Sequence, residues 1–126
     1  MQMHFNHIAL YVADLTKSTA FYRDVIQAQI IPDPFHDDRH VWFKIGEHNQ
    51  LHLIAGIPGN EPGRAMHFAF SVRSFADFLP HLHKMGVEYE DGKGNTGQVR
   101  LRPDHVKQIY LEDPDGYWIE INEDRY

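Results

Sequence analysis

The sequence repeats itself, and this repeat limits the folds that the chain can adopt. His7–Val12 (HIALYV) and His67–Val72 (HFAFSV) each consist of a histidine that opens an alternating apolar run. Leu51–Ile54 (LHLI) and Ile119–Asn122 (IEIN) each place one coordinating side chain between aliphatic residues. An internal repeat indicates two similar structural units, in which matching positions are related by a pseudo-twofold axis.

The first half predicts a strand, a helix and three further strands. Alternation predicts the first strand up to Val12, and Asp14 is the expected N-cap of the helix. Phe21 and Tyr22 begin the apolar stripe of that helix. Three more strands are expected, over 29–31, 40–45 and 50–54.

The second half predicts the same order of elements. Its first strand runs over 67–72, and Ser74 is the expected start of the helix. Its remaining strands are expected over 87–89, 107–111 and 117–122. The chain is therefore predicted to be α+β, with two βαβββ modules at about 4–55 and 65–126. The Gly- and Pro-rich residues 56–64 link them within a single domain of 1–126.

The coordinating residues share one side of their strands. Side chains alternate across a strand, and the neighbours of each coordinating residue are apolar and suited to packing against the helix layer. The opposite side of each strand therefore faces a shared concave surface. It carries four repeat-related candidates: His7, His52, His67 and Glu120.

Three imidazoles and one carboxylate suit a borderline divalent cation such as Zn, Ni, Mn, Co or Fe. Repeat symmetry selects all four positions without reference to chemistry, and a glutamate is costly to bury without a partner. We therefore expect His7, His52, His67 and Glu120 to bind one metal ion. Most other histidines are expected to be solvated, while His40 is ambiguous because it lies on a strand without a repeat partner.

Composition limits the partners. The chain has 12 Lys+Arg and 18 Asp+Glu, a net charge of −6, which argues against nucleic acid or an anionic membrane. It contains no cysteine, so disulfides and thiol nucleophiles are excluded. The N-terminal residues lack the pattern of a signal peptide, and no apolar run reaches membrane-spanning length. We expect a cytoplasmic protein that acts on a small molecule.

One basic stretch has two interpretations. Arg100, Arg102 and Lys107 precede the last predicted hairpin. They form either a solvated edge or a clamp for an anionic substrate. The glycine-rich residues 92–97 match no phosphate-binding pattern and are interpreted as a loop near the site.

Three segments together resemble the vicinal oxygen chelate superfamily, which includes glyoxalase I, fosfomycin-resistance proteins and extradiol dioxygenases. They are Asn6–Leu15, His67–Val72 and Asp113–Glu120 (DPDGYWIE). The resemblance covers nearly the whole chain. It implies paired modules whose sheets curl around a metal cleft, with metal ligands at His7, His67 and Glu120 and a fourth ligand at His52.

The sequence departs from individual members of the superfamily. Where bacterial glyoxalase I has an arginine for a glutathione carboxylate, this chain has Tyr11, which we assign to the substrate side of the site. Where fosfomycin thiol transferases have a threonine, it has Ala9. Extradiol dioxygenases are usually longer and need no fourth ligand.

The resemblance implies a metal-dependent lyase or isomerase of glyoxalase type, in which the metal chelates neighbouring substrate oxygens. Glu120 is the only carboxylate among the predicted ligands and the candidate for proton transfer. One alternative is a non-haem iron dioxygenase, with His52 outside the coordination shell. Another is a metal-loaded binding or resistance protein without catalysis, of the bleomycin-resistance kind. We also expect a homodimer, because curled sheets leave exposed edges.

Overall fold

The computed structural model describes residues 1–58 and 64–124, and the chain divides into two compact units, Met1–Asn60 and Glu61–Tyr126. The division falls inside the predicted linker, of which residues 59–63 lie outside the described part. Each unit contains one four-stranded sheet and a helix. The predicted α+β class with two similar modules is confirmed.

The first unit follows the predicted order of elements. These are β1 (His7–Val12), α1 (Leu15–Ala20), a π-helical turn (Phe21–Val25), β2 (Gln29–Ile31), β3 (His40–Ile45) and β4 (Asn49–Ala55). The sheet order is β1-β4-β3-β2, with β1 parallel to β4 and the other pairs antiparallel.

An N-terminal cap and a buried apolar stripe stabilise the helical segment that begins with α1. The side chain of Asp14 accepts a hydrogen bond from the backbone N–H of Lys17 at 3.0 Å, so the predicted N-cap is confirmed. After Ala20 the helix widens into the π-helical turn, in which Tyr22 and Val25 are buried. The predicted stripe therefore packs into the core even though the helix changes its pitch.

The second unit contains β5 (His67–Ser71), α2 (Phe75–Lys84), β6 (Arg100–Leu101), β7 (Lys107–Glu112) and β8 (Trp118–Asn122). Its sheet order is β5-β8-β7-β6, with β5 parallel to β8. The Ser74 side chain caps α2 by accepting from the N–H of Ala76 at 3.0 Å.

The predicted strand at 87–89 is wrong. In its place, Glu90 forms single-residue bridges with Tyr110 and Thr96, and the fourth strand of the sheet is Arg100–Leu101. The physical reason lies in where the backbone groups of this segment bond: the N–H of Val87 donates to the carbonyl of Leu82 at the end of α2, and the carbonyl of Tyr89 accepts from the N–H of Gly97. After the pairing at Glu90, Gly92 and Gly94, with φ angles of +89° and +88°, turn the chain away from the sheet.

The aliphatic side of each sheet forms the core of its unit. The most deeply buried strand residues in the first unit are Val12, Phe43, Leu51 and Leu53, and in the second Ile109, Leu111, Ile119 and Ile121. Burying one such side chain stabilises a fold by about 1.5–3 kcal/mol. The strand parity deduced from the sequence is therefore confirmed. The coordinating residues lie on the other side of each sheet, called here the polar face.

None of the helices in the described ranges combines the length and hydrophobicity that crossing a bilayer requires.

Candidate metal centre

In the second unit, strand register arranges the polar face into three rows that run across the sheet. One row holds His67, Trp118 and Glu112; the next holds Ala69, Glu120, Tyr110 and Glu90; the third holds Ser71, Asn122, Gln108 and Arg100. The two predicted ligands of this unit are thus on adjacent strands in neighbouring rows.

His67 and Glu120 present their coordinating atoms to each other. Nε2 of His67 lies 3.3 Å from Oε1 of Glu120, and their side chains are 26% and 12% exposed. In a tetrahedral site with metal–ligand bonds of about 2.0–2.2 Å, neighbouring donor atoms lie about 3.3–3.6 Å apart. The separation is therefore compatible with two ligands of one metal ion.

The other nitrogen of His67 fixes the state of the ring. Nδ1 of His67 lies 2.7 Å from the backbone carbonyl oxygen of Arg64. Because a carbonyl oxygen only accepts, Nδ1 carries a proton, and the ring turns Nε2 toward the Glu120 carboxylate. Two facing acceptors repel unless a proton or a metal cation lies between them. This donor pair fits a divalent cation.

Both carboxylate oxygens of Glu120 are held by neighbouring side chains. Oε1 accepts from the hydroxyl of Tyr110 at 3.1 Å and from Nε2 of Gln108 at 3.4 Å. Oε2 accepts from Nδ2 of Asn122 at 2.6 Å, and Asn122 in turn accepts from the Ser71 hydroxyl at 2.7 Å. Such outer partners orient a ligand and tune its basicity.

The Tyr110 hydroxyl stays a donor. Burial raises the pKa of the Tyr110 phenol, and the negative charge of Glu120 raises it further. Sequence analysis missed Gln108, Tyr110 and Asn122. The alternation of polar and buried residues along the strands could have identified them, because all three lie on the same side of the sheet as Glu120.

In the first unit the polar face also forms rows. The outer row holds His7, Gln50, Lys44 and Gln29; the middle row holds Ala9, His52, Trp42 and Ile31; the third holds Tyr11, Ile54 and His40. In both units, therefore, an aromatic residue lies opposite the predicted ligand on the last strand, Trp42 beside His52 and Tyr110 beside Glu120.

The structure brings His7 and His52 together as a stack. Their ring centroids are 4.2 Å apart with planes 20° from parallel, and His52 also stacks on Trp42 at 3.7 Å and 13°. Nδ1 of His7 is hydrogen-bonded to Oδ1 of Asn6 at 2.6 Å, which leaves Nε2 of His7 as its coordinating atom.

His52 is sandwiched and already hydrogen-bonded. Its Nε2 lies 2.8 Å from Oε1 of Gln50, and the residue is 7% exposed. Burial lowers the pKa of His52, and the nearby imidazoles of His7 and His40 lower it further, which favours the neutral ring. Nearly parallel rings direct their lone pairs side by side, so coordination of one ion by both requires one ring to rotate. That all four residues bind one metal stays a prediction.

A further group of coordinating side chains was not expected from the sequence. Nδ1 of His40 donates to both carboxylate oxygens of Asp37, at 2.8 and 2.9 Å, and this bonding lowers the pKa of Asp37. Asp33 completes the group, whose potential ligand atoms lie within 4.8 Å of one another. Oδ2 of Asp33 is buried and lacks a hydrogen-bond partner among the described residues. No periodicity predicts this group, because both aspartates lie in a loop.

Two of the predicted substrate residues lie on the polar faces. Tyr11 is 53% exposed, and its ring lies against Gly56, where a Cβ atom would approach Cδ1 of Tyr11 to 2.8 Å. Arg100 lies opposite Gln108, in the same row as Asn122. Its positive charge acts on the phenol of Tyr110, which places it near the Glu120 network.

The other two predicted substrate residues are placed differently. The guanidinium of Arg102 binds Asp104 through two hydrogen bonds, of 3.1 and 2.5 Å, and lies 3.6 Å from Asp124. Lys107 shares strand parity with the buried Ile109, so the structure does not bring it to the polar face.

Known proteins resemble this chain along nearly its whole length. Metallothiol transferase FosB of Staphylococcus saprophyticus is 30% identical over 97% of this chain and 78% of that protein. Among solved structures, a glyoxalase family protein of Bacillus anthracis is 27% identical with a TM-score of 0.78, covering 99% of this chain and 98% of that one. The fosfomycin resistance protein FosX of Listeria monocytogenes is 25% identical with a TM-score of 0.79, covering 99% and 94%.

The sequence model that matches here extends over residues 4–121 and so includes all four predicted ligands. On this match and the paired modules, the chain belongs to the Glyoxalase/Bleomycin resistance protein/Dioxygenase superfamily.

Proposed function

We propose that this protein is a metal-dependent enzyme of glyoxalase type, a lyase or isomerase that acts on a small substrate with two neighbouring oxygen atoms. One observation carries the proposal: with its Nδ1 proton bound by the Arg64 carbonyl, His67 turns Nε2 toward the Glu120 carboxylate at 3.3 Å, an arrangement that a divalent cation between them would stabilise. His7 and His52, matched to them by the repeat, complete the proposed ligand set.

When bound, the divalent metal supplies Lewis acidity toward the chelated substrate oxygens. The chain's own residues provide orientation. Asn122 holds Oε2 of Glu120 and Tyr110 holds Oε1, so the carboxylate keeps a fixed direction on the polar face. Trp42 packs flat against His52 and excludes water from that side of the first unit's imidazoles.

Glu120 is the residue that we propose to move protons. It is the one carboxylate in the proposed ligand set, and its Oε1 lies on the side shared with His67. A carbon-bound proton next to the chelated oxygens would pass to Oε1 and return from it at a neighbouring atom. Because Asn122 holds Oε2, Oε1 keeps its direction on the polar face while it exchanges the proton.

A second candidate is transfer of a thiol to an electrophilic substrate. The 30% identity with a metallothiol transferase over nearly the whole chain favours it. Arg100, on the polar face near Tyr110, is available to an anionic substrate group. This activity differs from the first in the bond that the enzyme makes, since thiol transfer forms a new carbon–sulfur bond whereas the first activity moves a proton.

Two further alternatives have distinct signatures. An iron dioxygenase would use His7, His67 and Glu120 and would consume oxygen, with His52 serving only as a stacked support. A binding or resistance protein would hold its ligand unchanged. Oxygen uptake and recovery of intact ligand identify these two cases.

We also propose that the protein is a homodimer. Within each sheet the first strand of the module is an edge strand, β1 in one and β5 in the other. Exposed edges favour pairing with a second copy. Light scattering at micromolar concentration should give twice the mass of 14.7 kDa, and a monomer would contradict the proposal.

Metal analysis followed by a substrate screen tests the proposed function. The protein is purified, stripped, and reloaded separately with Zn, Ni, Mn, Co or Fe(II). Each form is incubated with 2-oxoaldehydes and other small electrophiles that carry neighbouring oxygen atoms, with and without a thiol such as glutathione or cysteine, and NMR follows the products. Turnover that needs both metal and Glu120 supports the proposal. A protein that binds none of these metals contradicts it.

A further inference from the structure

A cavity of about 450 Å³ opens in the second unit beside the proposed ligands. Its charged and aromatic lining residues are Glu88, Tyr89, Glu90, Tyr110, Glu112 and Trp118. No lysine, arginine or histidine of the described chain is among the lining residues. The volume lies within the range of about 300–1,000 Å³ that is usual for small-molecule sites.

The cavity adjoins the polar face that carries Glu120. Tyr110 lines the cavity and donates its hydroxyl to Oε1 of Glu120 at 3.1 Å. Trp118 lines it too and lies directly opposite His67 in the strand register. A molecule that occupies the cavity therefore contacts residues that adjoin both proposed ligands of this unit.

The three glutamates of the cavity are incompletely neutralised. Glu90 forms an ion pair with Arg64. Glu88 and Glu112 form no ion pair with any residue that the structure describes, and both are exposed. The one guanidinium beside the cavity neutralises one of the three carboxylates, so the electrostatic potential in the cavity favours a positively charged ligand.

The guanidinium of Arg64 shows how a cation binds at the border of the cavity. The Cζ atom of Arg64 lies over the ring of Trp118, 5.5 Å from its centroid, while the same side chain pairs with Glu90. A carboxylate combined with an aromatic face is the chemistry that recognises organic cations. Tyr89 and Tyr110 add two more aromatic side chains to the lining.

We propose that this cavity binds an organic cation, a primary ammonium or guanidinium group, and that the substrate carries this group next to its chelating oxygens. The claim that the substrate carries this cation rests on the proposed function. The claim that the cavity binds a cation is independent of it, because none of the residues that contact the cation is a proposed metal ligand.

A pair of probes of similar shape and opposite charge tests the proposal. 2-Phenylethylammonium and 3-phenylpropionate are titrated into the zinc-loaded and the metal-free protein, and NMR follows the indole signals of Trp118 and Trp42. The ammonium probe should bind both forms, shift Trp118 rather than Trp42, and bind more weakly as salt rises. Equal binding of the carboxylate probe, or no binding of the ammonium, would overturn the proposal.

Three variants sharpen the test. Glu88→Gln combined with Glu112→Gln should weaken ammonium binding by about fivefold or more, because both changes remove charge while they preserve shape. Arg64→Gln should strengthen ammonium binding by about threefold, since the substitution leaves Glu90 and the face of Trp118 available to the probe. Glu47→Gln, a change at an exposed site in the other unit, should leave binding unchanged.

Opposite effects of the Arg64 and glutamate variants separate cation recognition from general destabilisation. Unchanged affinity in the double glutamine variant contradicts the proposal. If ammonium binding follows the expected pattern but no metal-dependent turnover is found, the proposed function fails while the cation site stands. If turnover is found only with substrates that lack a cation, the proposed function stands and this inference fails.

Discussion

His67 and Glu120 face each other through two acceptor atoms, Nε2 and Oε1, which lie 3.3 Å apart. The backbone carbonyl of Arg64 imposes this arrangement by binding the proton on Nδ1 of His67. Either a second proton on the ring or a metal cation between Nε2 and Oε1 removes the repulsion, and the metal titrations below distinguish these two cases.

The first prediction is that Glu120→Gln weakens metal binding by more than about 100-fold, beyond the 10–100-fold typical of the loss of an outer partner. The amide keeps the shape of the side chain but removes the charge that a divalent cation requires. A competitive titration against a chromophoric chelator measures the affinity. Glu47→Gln, at a glutamate whose side chain is 89% exposed, is the control. Equal affinities in the two variants would remove Glu120 from the ligand set.

The second prediction concerns Asn122, which holds the other carboxylate oxygen at 2.6 Å. Asn122→Ala should reduce metal affinity by about 10–100-fold, because the carboxylate loses a fixed orientation but keeps its charge. The same titration measures it. Ser71→Ala, which removes the bond that orients the Asn122 amide, should reduce affinity less. A loss in Ser71→Ala as large as that in Asn122→Ala would contradict the proposed chain of hydrogen bonds.

The third prediction separates two roles of His52, which lies between His7 and Trp42. His52→Phe keeps an aromatic ring in the stack but removes both nitrogens, whereas His52→Ala removes the ring as well. If His52 binds the metal, both variants lose affinity sharply and by similar factors. If it only supports His7, His52→Phe should retain most of the affinity that His52→Ala loses. The competitive titration of both variants decides between the four-ligand and three-ligand arrangements.

The sequence was sufficient to predict the paired modules and the face of each strand, because alternation is a property of the strand itself. His7 and Glu120 lie on the polar side of their sheets for this reason. The strand expected at 87–89 failed because its backbone groups bond to the end of α2 and to the following loop, which leaves a single bridge at Glu90. Such backbone bonds cannot be predicted from an apolar pattern.

The direction in which each side chain points on the polar face could not be predicted from the sequence. Strand parity places His52 on the polar face, but its stack with Trp42 depends on a rotamer that is chosen by packing. The pairing of His40 with Asp37 likewise depends on a loop conformation. Periodicity therefore located the candidate ligands but not the partners that orient them.

The fourth prediction concerns pH and the loop that begins at Asp91. The side-chain amide of Asn95 lowers the pKa of Asp91 most, followed by the backbone N–H of Lys93. A carboxyl group with a depressed folded pKa adds stability above its ordinary value of about 3.9, and this is lost as pH falls through the folded pKa. Asn95→Ala should therefore raise the titration midpoint of Asp91.

Carboxyl-detected NMR measures that midpoint. Asp37, whose pKa is lowered mainly by His40, is an internal reference that Asn95→Ala should not affect. An unchanged Asp91 midpoint would show that backbone N–H groups alone hold the carboxylate. The stability lost in Asn95→Ala should be present at neutral pH and fade in strong acid, where Asp91 is protonated in both the folded and unfolded chains.

The fifth prediction compares two glycines of the same loop. Gly92 and Gly94 have φ angles of +89° and +88°, so alanine at either position should cost about 1–3 kcal/mol of backbone strain. Only Gly92 also approaches a ring: a Cβ atom there would lie 2.8 Å from Cε2 of Tyr110, whereas nothing lies within 4 Å at Gly94. Urea unfolding should show that Gly92→Ala loses more stability than Gly94→Ala.

Because Tyr110 donates to Glu120, Gly92→Ala should also weaken metal binding, and Gly94→Ala should not. Equal effects of the two substitutions on both measurements would mean that the loop yields without moving the ring of Tyr110.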